Sequence, residues 1–187
     1  MIPLLIFLGI LLVLVIWAIG RYNLFIRLKN NRENAFADID VQLKQRHDLI
    51  PQLVATVKGY ASHEKDTLDR VVSARSGAIN ARTIDEKIVA ENHLSSALAG
   101  LKITVESYPD LKANTNFMHL QEEISDIENK LAAVRRFFNS ATKEYNTAVE
   151  MFPANIIAGM FNLRREMMFD LGTSERKNLE QTPAISF

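Results

Sequence analysis

The sequence predicts an all-α protein: an N-terminal transmembrane helix, then an antiparallel four-helix bundle with long helices and a short extra C-terminal helix. Three observations carry this. Residues 2–20 (IPLLIFLGILLVLVIWAIG) hold no charged or strongly polar side chain. Seven glycines and five prolines in 187 residues leave long stretches without a helix breaker. Residues 117–152 place apolar side chains at alternating spacings of three and four, the pattern of coiled-coil-like packing.

The apolar run comes first. Nineteen helical residues span roughly 28 Å, close to the ~30 Å hydrocarbon core of a bilayer. A basic flank follows at once, with Arg21, Arg27, Lys29 and Arg32 against the single acid Glu33. Trp17 and Tyr22 stand where interfacial aromatics anchor a helix end. The positive flank places the body in the cytoplasm and the short N-terminus outside. A cleaved signal peptide is the rival reading: Ala18 and Gly20 suit a cleavage site, but no basic residue precedes the run, which is also long for that role. The chain therefore divides into an anchor at 1–20, a helical body at 21–171 and a polar tail at 172–187, with the lipid bilayer as a partner through residues 2–20.

The first body helix continues the anchor, with Leu24, Leu28, Ala35, Ile39 and Leu43 on one face. A break is expected at Arg46-His47-Asp48, where Asp48 can cap a new helix and Pro51 falls in its first turn. Ile50, Val54, Val57, Ala61, Leu68, Val71 and Ile79 carry that second helix to about Asn80, and close packing would explain Gly59 inside it. Thr83 with Glu86 forms a capping box and opens a third helix along Ile84, Ile88, Leu94, Leu98, Leu101 and Val105. Tyr108-Pro109-Asp110 interrupts it. The fourth helix ends at Phe152-Pro153, and a short apolar helix runs from Ala154 to about Leu163.

Counting directions, the fourth helix returns to the membrane. Residues 152–171 should then lie near its surface, as a basic, apolar element made of Ile156, Ile157, Met160, Phe161, Arg164, Arg165, Met168 and Phe169. The plainer alternative is a plug for the open end of the bundle.

Composition excludes several functions. The 22 basic and 22 acidic residues give no net field to attract nucleic acid. Zero cysteines removes disulfides, thiolate metal sites and cysteine nucleophiles. No two glycines lie within ten residues of each other, so phosphate loops, dinucleotide fingerprints and nucleophile elbows are all missing. None of the four histidines (47, 63, 93, 119) has a Glu three residues earlier, as a di-metal bundle site needs. No catalytic, metal or cofactor residue is expected. His47-Asp48-Leu49-Ile50-Pro51 is similar to the phosphoacceptor box of histidine kinases, but its Pro comes one position early and His47 falls at the expected helix junction. A polar row at Asn34, Asp38, Gln42 and Arg46, with Asp40 beside it, reads as a solvated face, a contact surface or a buried network fixing register. The end of the tail, Pro183-Ala184-Ile185-Ser186-Phe187, has the character of a peptide that docks, set against the commoner case of a frayed, unrecognised tail.

Several segments resemble one family. Tyr22-Asn23 and the block from Asn34 to Pro51 (NAFADIDVQLKQRHDLIP) are similar to the signature of the LemA family. So, in order, are Val57-Lys58-Gly59-Tyr60, Ala74-Arg75, residues 108–113 (YPDLKA), Tyr145-Asn146 and residues 152–157 (FPANII). Phe137-Phe138 stands where a Tyr is expected nearby, a departure that keeps the aromatic character. The resemblance covers nearly the whole chain. It implies a bacterial cytoplasmic-membrane protein with one N-terminal span, a short external N-terminus and a cytoplasmic helical bundle, and it brings no enzymatic activity. Because the signature block spans the polar row, Asn34, Asp38, Asp40, Gln42, Arg46, Asp48 and Lys58 form the candidate contact surface. The expected function is a non-enzymatic, membrane-anchored scaffold or accessory protein acting through helix-mediated contacts, as a homo-oligomer or with a membrane-protein partner. The alternatives are a signalling component or enzyme using His47 and a membrane-shaping protein using residues 152–171.

Overall fold

A computed structural model describes residues 1–169, and these are helical with no strand. The elements are α1 (Ile2–Tyr60), α2 (Lys65–Asn80), α3 (Ile84–Val105), α4 (Pro109–Lys112), α5 (Thr115–Glu150) and α6 (Ala154–Met160). They form two compact units. One comprises Met1–Phe36 with Phe137–Met168; the other comprises Ala37–Arg136 together with Phe169. The expected polar tail, 172–187, lies outside the described residues.

Helix α1 runs unbroken for 59 residues, about 88 Å at the usual rise. The break expected at Arg46-His47-Asp48 does not exist, and His47 sits in mid-helix. Pro51 lies inside the helix rather than in a first turn. A mid-helix proline has no N–H to give to the carbonyl four residues back, which is that of His47, and this normally kinks or ends the helix. Here the Arg75 guanidinium, from α2, donates from Nε to the His47 carbonyl oxygen at 2.7 Å. The acceptor that proline abandons is thus satisfied from another helix, which offsets the hydrogen-bond part of the proline's cost and leaves only its steric part.

The break falls instead after Tyr60. Ala61 is buried, Asn114 donates to the Tyr60 hydroxyl oxygen at 2.9 Å, and the Tyr108 hydroxyl donates to the Glu64 carboxylate at 3.0 Å. These contacts, distant in sequence, fix the turn between α1 and α2. Gly59 is not closely packed: a Cβ added there would meet nothing within 4 Å. Thr83 forms the expected capping box, accepting from the Glu86 N–H while the Glu86 carboxylate accepts from the N–H groups of Thr83 and Arg82. Asn114 opens α5 by accepting from the Phe117 N–H at 2.9 Å.

The core of the larger unit joins Ile50, Leu53 and Val57 of α1, Leu68, Val71 and Ala78 of α2, Leu94, Leu101 and Val105 of α3, Leu111 of α4 and Phe117 of α5. The core of the other unit joins Phe25 and Leu28 of α1, Tyr145 and Val149 of α5, and Ala154, Ile157 and Ala158 in α6. The side chains of residues 2–16 are all exposed, as suits a lipid-facing span, and α1 is long and apolar enough to cross a membrane.

Replacing Arg75 by Leu should cost about 1–2 kcal/mol, the loss expected when a partly buried carbonyl is orphaned. In a Pro51→Ala background, where the missing N–H is restored, the same change should cost under about 1 kcal/mol. Equal losses in the two backgrounds, read by urea unfolding of the detergent-solubilised chain, would refute this account of the proline. Gly59→Ala should stabilise by about 0.5–1 kcal/mol; a drop in stability would mean that something packs against the glycine after all.

Candidate functional site

The signature block of α1 delivers an arginine into the protein interior. Arg46 has no solvent exposure, because it occupies the apolar stripe of α1, three residues after Leu43 and four before Ile50. Its guanidinium pairs with the carboxylates of Glu91 (α3) and Glu128 (α5) and donates to the Ser95 hydroxyl at 3.2 Å. Glu91 is also buried, at 1% exposure, and its second oxygen lies 2.7 Å from His47 Nε2. With Arg75 on the His47 carbonyl, all four long helices of this unit meet at two consecutive residues of α1. Burial pushes the Glu91 carboxyl up, but the His47 hydrogen bond and the Arg46 charge outweigh it and hold Glu91 below the usual carboxylate range.

The predicted polar row is therefore not one surface. Arg46 is removed from it entirely, Gln42 is half-buried, and Asn34, Asp38, Asp48 and Lys58 are not buried. Asp40 is exposed and pairs with Lys87 of α3 at 2.6 Å. Of the three readings of the row, the buried network describes Arg46. Glu91, Ser95, Glu128 and Arg75 were missed by the sequence reading. Glu91 carried a signal: it falls three residues after Ile88 and three before Leu94, an acid on an apolar stripe. No cluster of three His, Asp or Glu side chains suited to a metal occurs among the described residues.

Beside this network runs an open groove of about 690 Å³ between α3 and α5. Leu53, Leu98, Leu101, Val105, Phe117 and Ile124 give it an apolar lining. Lys102, Glu122 and Glu128 stand among its polar lining residues, so the Arg46 network opens into the groove through Glu128 and Ser95.

The predicted 152–171 element divides by exposure. Ile157 and Phe169 are buried, Met168 is partly buried, and Ile156, Met160, Phe161, Arg164 and Arg165 are exposed. The segment after α6 is tied to its own unit. Arg32 pairs with the Glu166 carboxylate at 3.2 Å and donates to the Met167 carbonyl at 3.1 Å. Asn146 grips the Glu166 backbone, donating to its carbonyl (3.0 Å) and accepting from its N–H (2.8 Å). Phe169, in the other unit, lies under the Arg135 guanidinium at 5.1 Å.

Arg46→Met should destabilise by about 3–5 kcal/mol, because it strands Glu91 in the interior, whereas Arg46→Met with Glu91→Leu should recover most of that loss. Thermal unfolding of the solubilised chain reads both. The lowered Glu91 pKa adds stability that is present above the unfolded-state value, near pH ~4.3, and is lost as pH falls through the folded value. The gap between the wild-type chain and Glu91→Gln should therefore narrow below about pH 4.3; a gap that stays constant into acid would contradict it.

Comparison with known proteins agrees with the signature. Protein LemA of Metamycoplasma hominis is 27% identical over 164 residues, which cover 87% of this chain and 74% of that protein. Magnetosome protein MamQ of Magnetospirillum gryphiswaldense is 23% identical over 192 aligned positions, 89% of this chain and 69% of the relative. Magnetosome protein MamQ 1 of Paramagnetospirillum magneticum is 22% identical over the same shares. The model of the LemA family matches residues 35–187, a region that contains the Arg46 network, the groove and α6, and this chain belongs to the LemA family.

Proposed function

We propose that this protein is a non-enzymatic, membrane-anchored scaffold or accessory protein that acts through helix-mediated contacts and self-associates. In this reading residues 2–20 form a single span of the bacterial cytoplasmic membrane, with the N-terminus outside and an antiparallel four-helix bundle in the cytoplasm. The apolar side chains of residues 2–16, all exposed, and the basic flank from Arg21 to Arg32 support the topology.

The groove between α3 and α5 carries the contact reading. Its apolar lining suits one face of an amphipathic helix. Its polar lining is mixed in sign, with Lys102 on α3 and Glu122 and Glu128 on α5. A two-fold pairing of copies lets each lysine meet the other copy's acids, so a second copy of this chain is the occupant we favour. The histidine alternative loses support from geometry. His47 is 12% exposed and its Nε2 is engaged by the buried Glu91 carboxylate, which a phosphoryl donor would have to displace.

Crosslinking in native membranes, then pull-down of the tagged full-length chain and mass spectrometry, tests this. Self-crosslinks through residues 95–128 are expected. Met118→Asp with Lys102→Glu, both at solvent-facing positions of the groove, should reduce them several-fold while changing stability by no more than about 0.5 kcal/mol per site. Undiminished self-crosslinks in that variant would remove the groove from the interface. A stoichiometric second protein would replace the self-associating scaffold with an adaptor.

A further inference from the structure

Helix α6 has two unlike faces. Ala154, Ile157 and Ala158 are buried against Phe25, Leu28 and Val149, while Met160 is 74% exposed, Phe161 54% and Ile156 57%. Phe152, in the turn before it, is 79% exposed. So many large apolar side chains held open on one short element mark an interaction surface.

Its position beside α1 identifies the occupant. The core that α6 completes is bordered by Trp17 and Ala18, which belong to the apolar run itself. The Phe161 ring lies 4.5 Å from that of Tyr22, two residues beyond the run. An element packed against Trp17 and Tyr22 sits at the depth where the span leaves the hydrocarbon. Apolar side chains pointing outward there meet the acyl boundary rather than bulk water. The neighbouring charge is cationic: Arg21 and Arg27 on α1, Arg164 and Arg165 just after α6. Of the acids on this unit, Glu166 is held by Arg32, and the Glu150–Arg165 contact, at 3.4 Å between two exposed side chains, is one that a headgroup phosphate can displace.

The element is also fixed in place. Asn162 adopts the left-handed conformation (φ 55°) that closes α6. Its N–H donates to the Gly159 carbonyl, and the Leu163 N–H donates to that of Ala158. The Arg32 and Asn146 ties to Glu166 then hold the following chain against the same unit.

We propose that α6 and its flanking turns are an interfacial lipid-binding element. Ile156, Met160, Phe161 and Phe152 enter the headgroup–acyl boundary, and Arg164 and Arg165 bind the phosphates of anionic lipid headgroups. This rests on the reading of residues 2–20 as a span, and it adds a second, lateral attachment that orients the body against the membrane.

Tryptophan quenching in vesicles of the full-length chain tests it, using phosphatidylcholine alone or mixed with phosphatidylglycerol, each with acyl chains brominated near the headgroup. Trp17 is the single native tryptophan, so Met160→Trp or Ile156→Trp in a Trp17→Phe background reports on α6 alone; both sites are exposed, and the new ring displaces no core packing. The expected result is bromolipid quenching comparable to that of Trp17, with shielding from aqueous acrylamide. Asn31→Trp in the same background, roughly 16 Å along α1 from Gly20, should remain open to acrylamide. Quenching should be stronger in the anionic vesicles and lose that excess in an Arg164→Gln, Arg165→Gln variant; equal quenching in both compositions would overturn the headgroup contact. A reporter on α6 that is open to acrylamide and unquenched overturns the proposal, as does one shielded from acrylamide yet unquenched, which means a protein covers it. Native Trp17 separates the two readings: if it too escapes quenching, the span is wrong, whereas a quenched Trp17 with an unquenched α6 reporter rejects the lipid-binding element alone.

Discussion

A guanidinium with no solvent exposure in the middle of a 59-residue helix constrains everything around it. Taking the Arg46 charge out of water costs several kcal/mol unless partners are held in good geometry. Those partners come from α3 and α5, so the two helices can pack on α1 only in the register that brings Glu91 and Glu128 to the arginine. The adjacent residue extends the constraint, since His47 offers its ring to Glu91 and its carbonyl to Arg75. Apolar side chains alone would let these helices slide by a turn with modest loss. The ion network does not allow that, because a slip leaves charges buried and unmatched.

The same network lies beside the groove. Glu128 and Ser95 belong to both, so the polar contacts of Arg46 border an open, apolar-lined surface of the unit. Arg46 binds both Glu91 of α3 and Glu128 of α5, the two helices that wall the groove, so in the proposed reading a helical partner meets walls already tied together.

In the unit that contains residues 2–20, an arginine on the same α1 stripe does comparable work. Arg32 follows Leu28 by four residues, is buried, and lies 5.0 Å from the Phe138 ring while it binds Glu166. With Asn146 it determines where the chain goes after α6. The placement of α6 beside Trp17 and Tyr22 therefore depends on polar ties as much as on its own apolar face.

The sequence by itself determined the helical class, an N-terminal apolar stretch long enough to cross a membrane, the capping box, the bounds of α5 to within two residues and the amphipathic character of residues 152–169. All of these rest on local composition or on a period of about 3.6 residues, which a single segment carries within itself. It also held the Arg46–Glu91 pair in weak form, as opposite charges on two apolar stripes. Only the tertiary structure decided that α1 continues through Pro51 and stops after Tyr60. The hydrogen bonds that rescue the His47 carbonyl and fix the Tyr60 turn come from Arg75, Tyr108 and Asn114. Those residues lie 28 to 54 positions away, and no local pattern could report them. The partition of the polar row had the same cause: which of Asn34, Asp38, Gln42 and Arg46 faces water depends on where other helices cross α1, and that is a property of the packed protein.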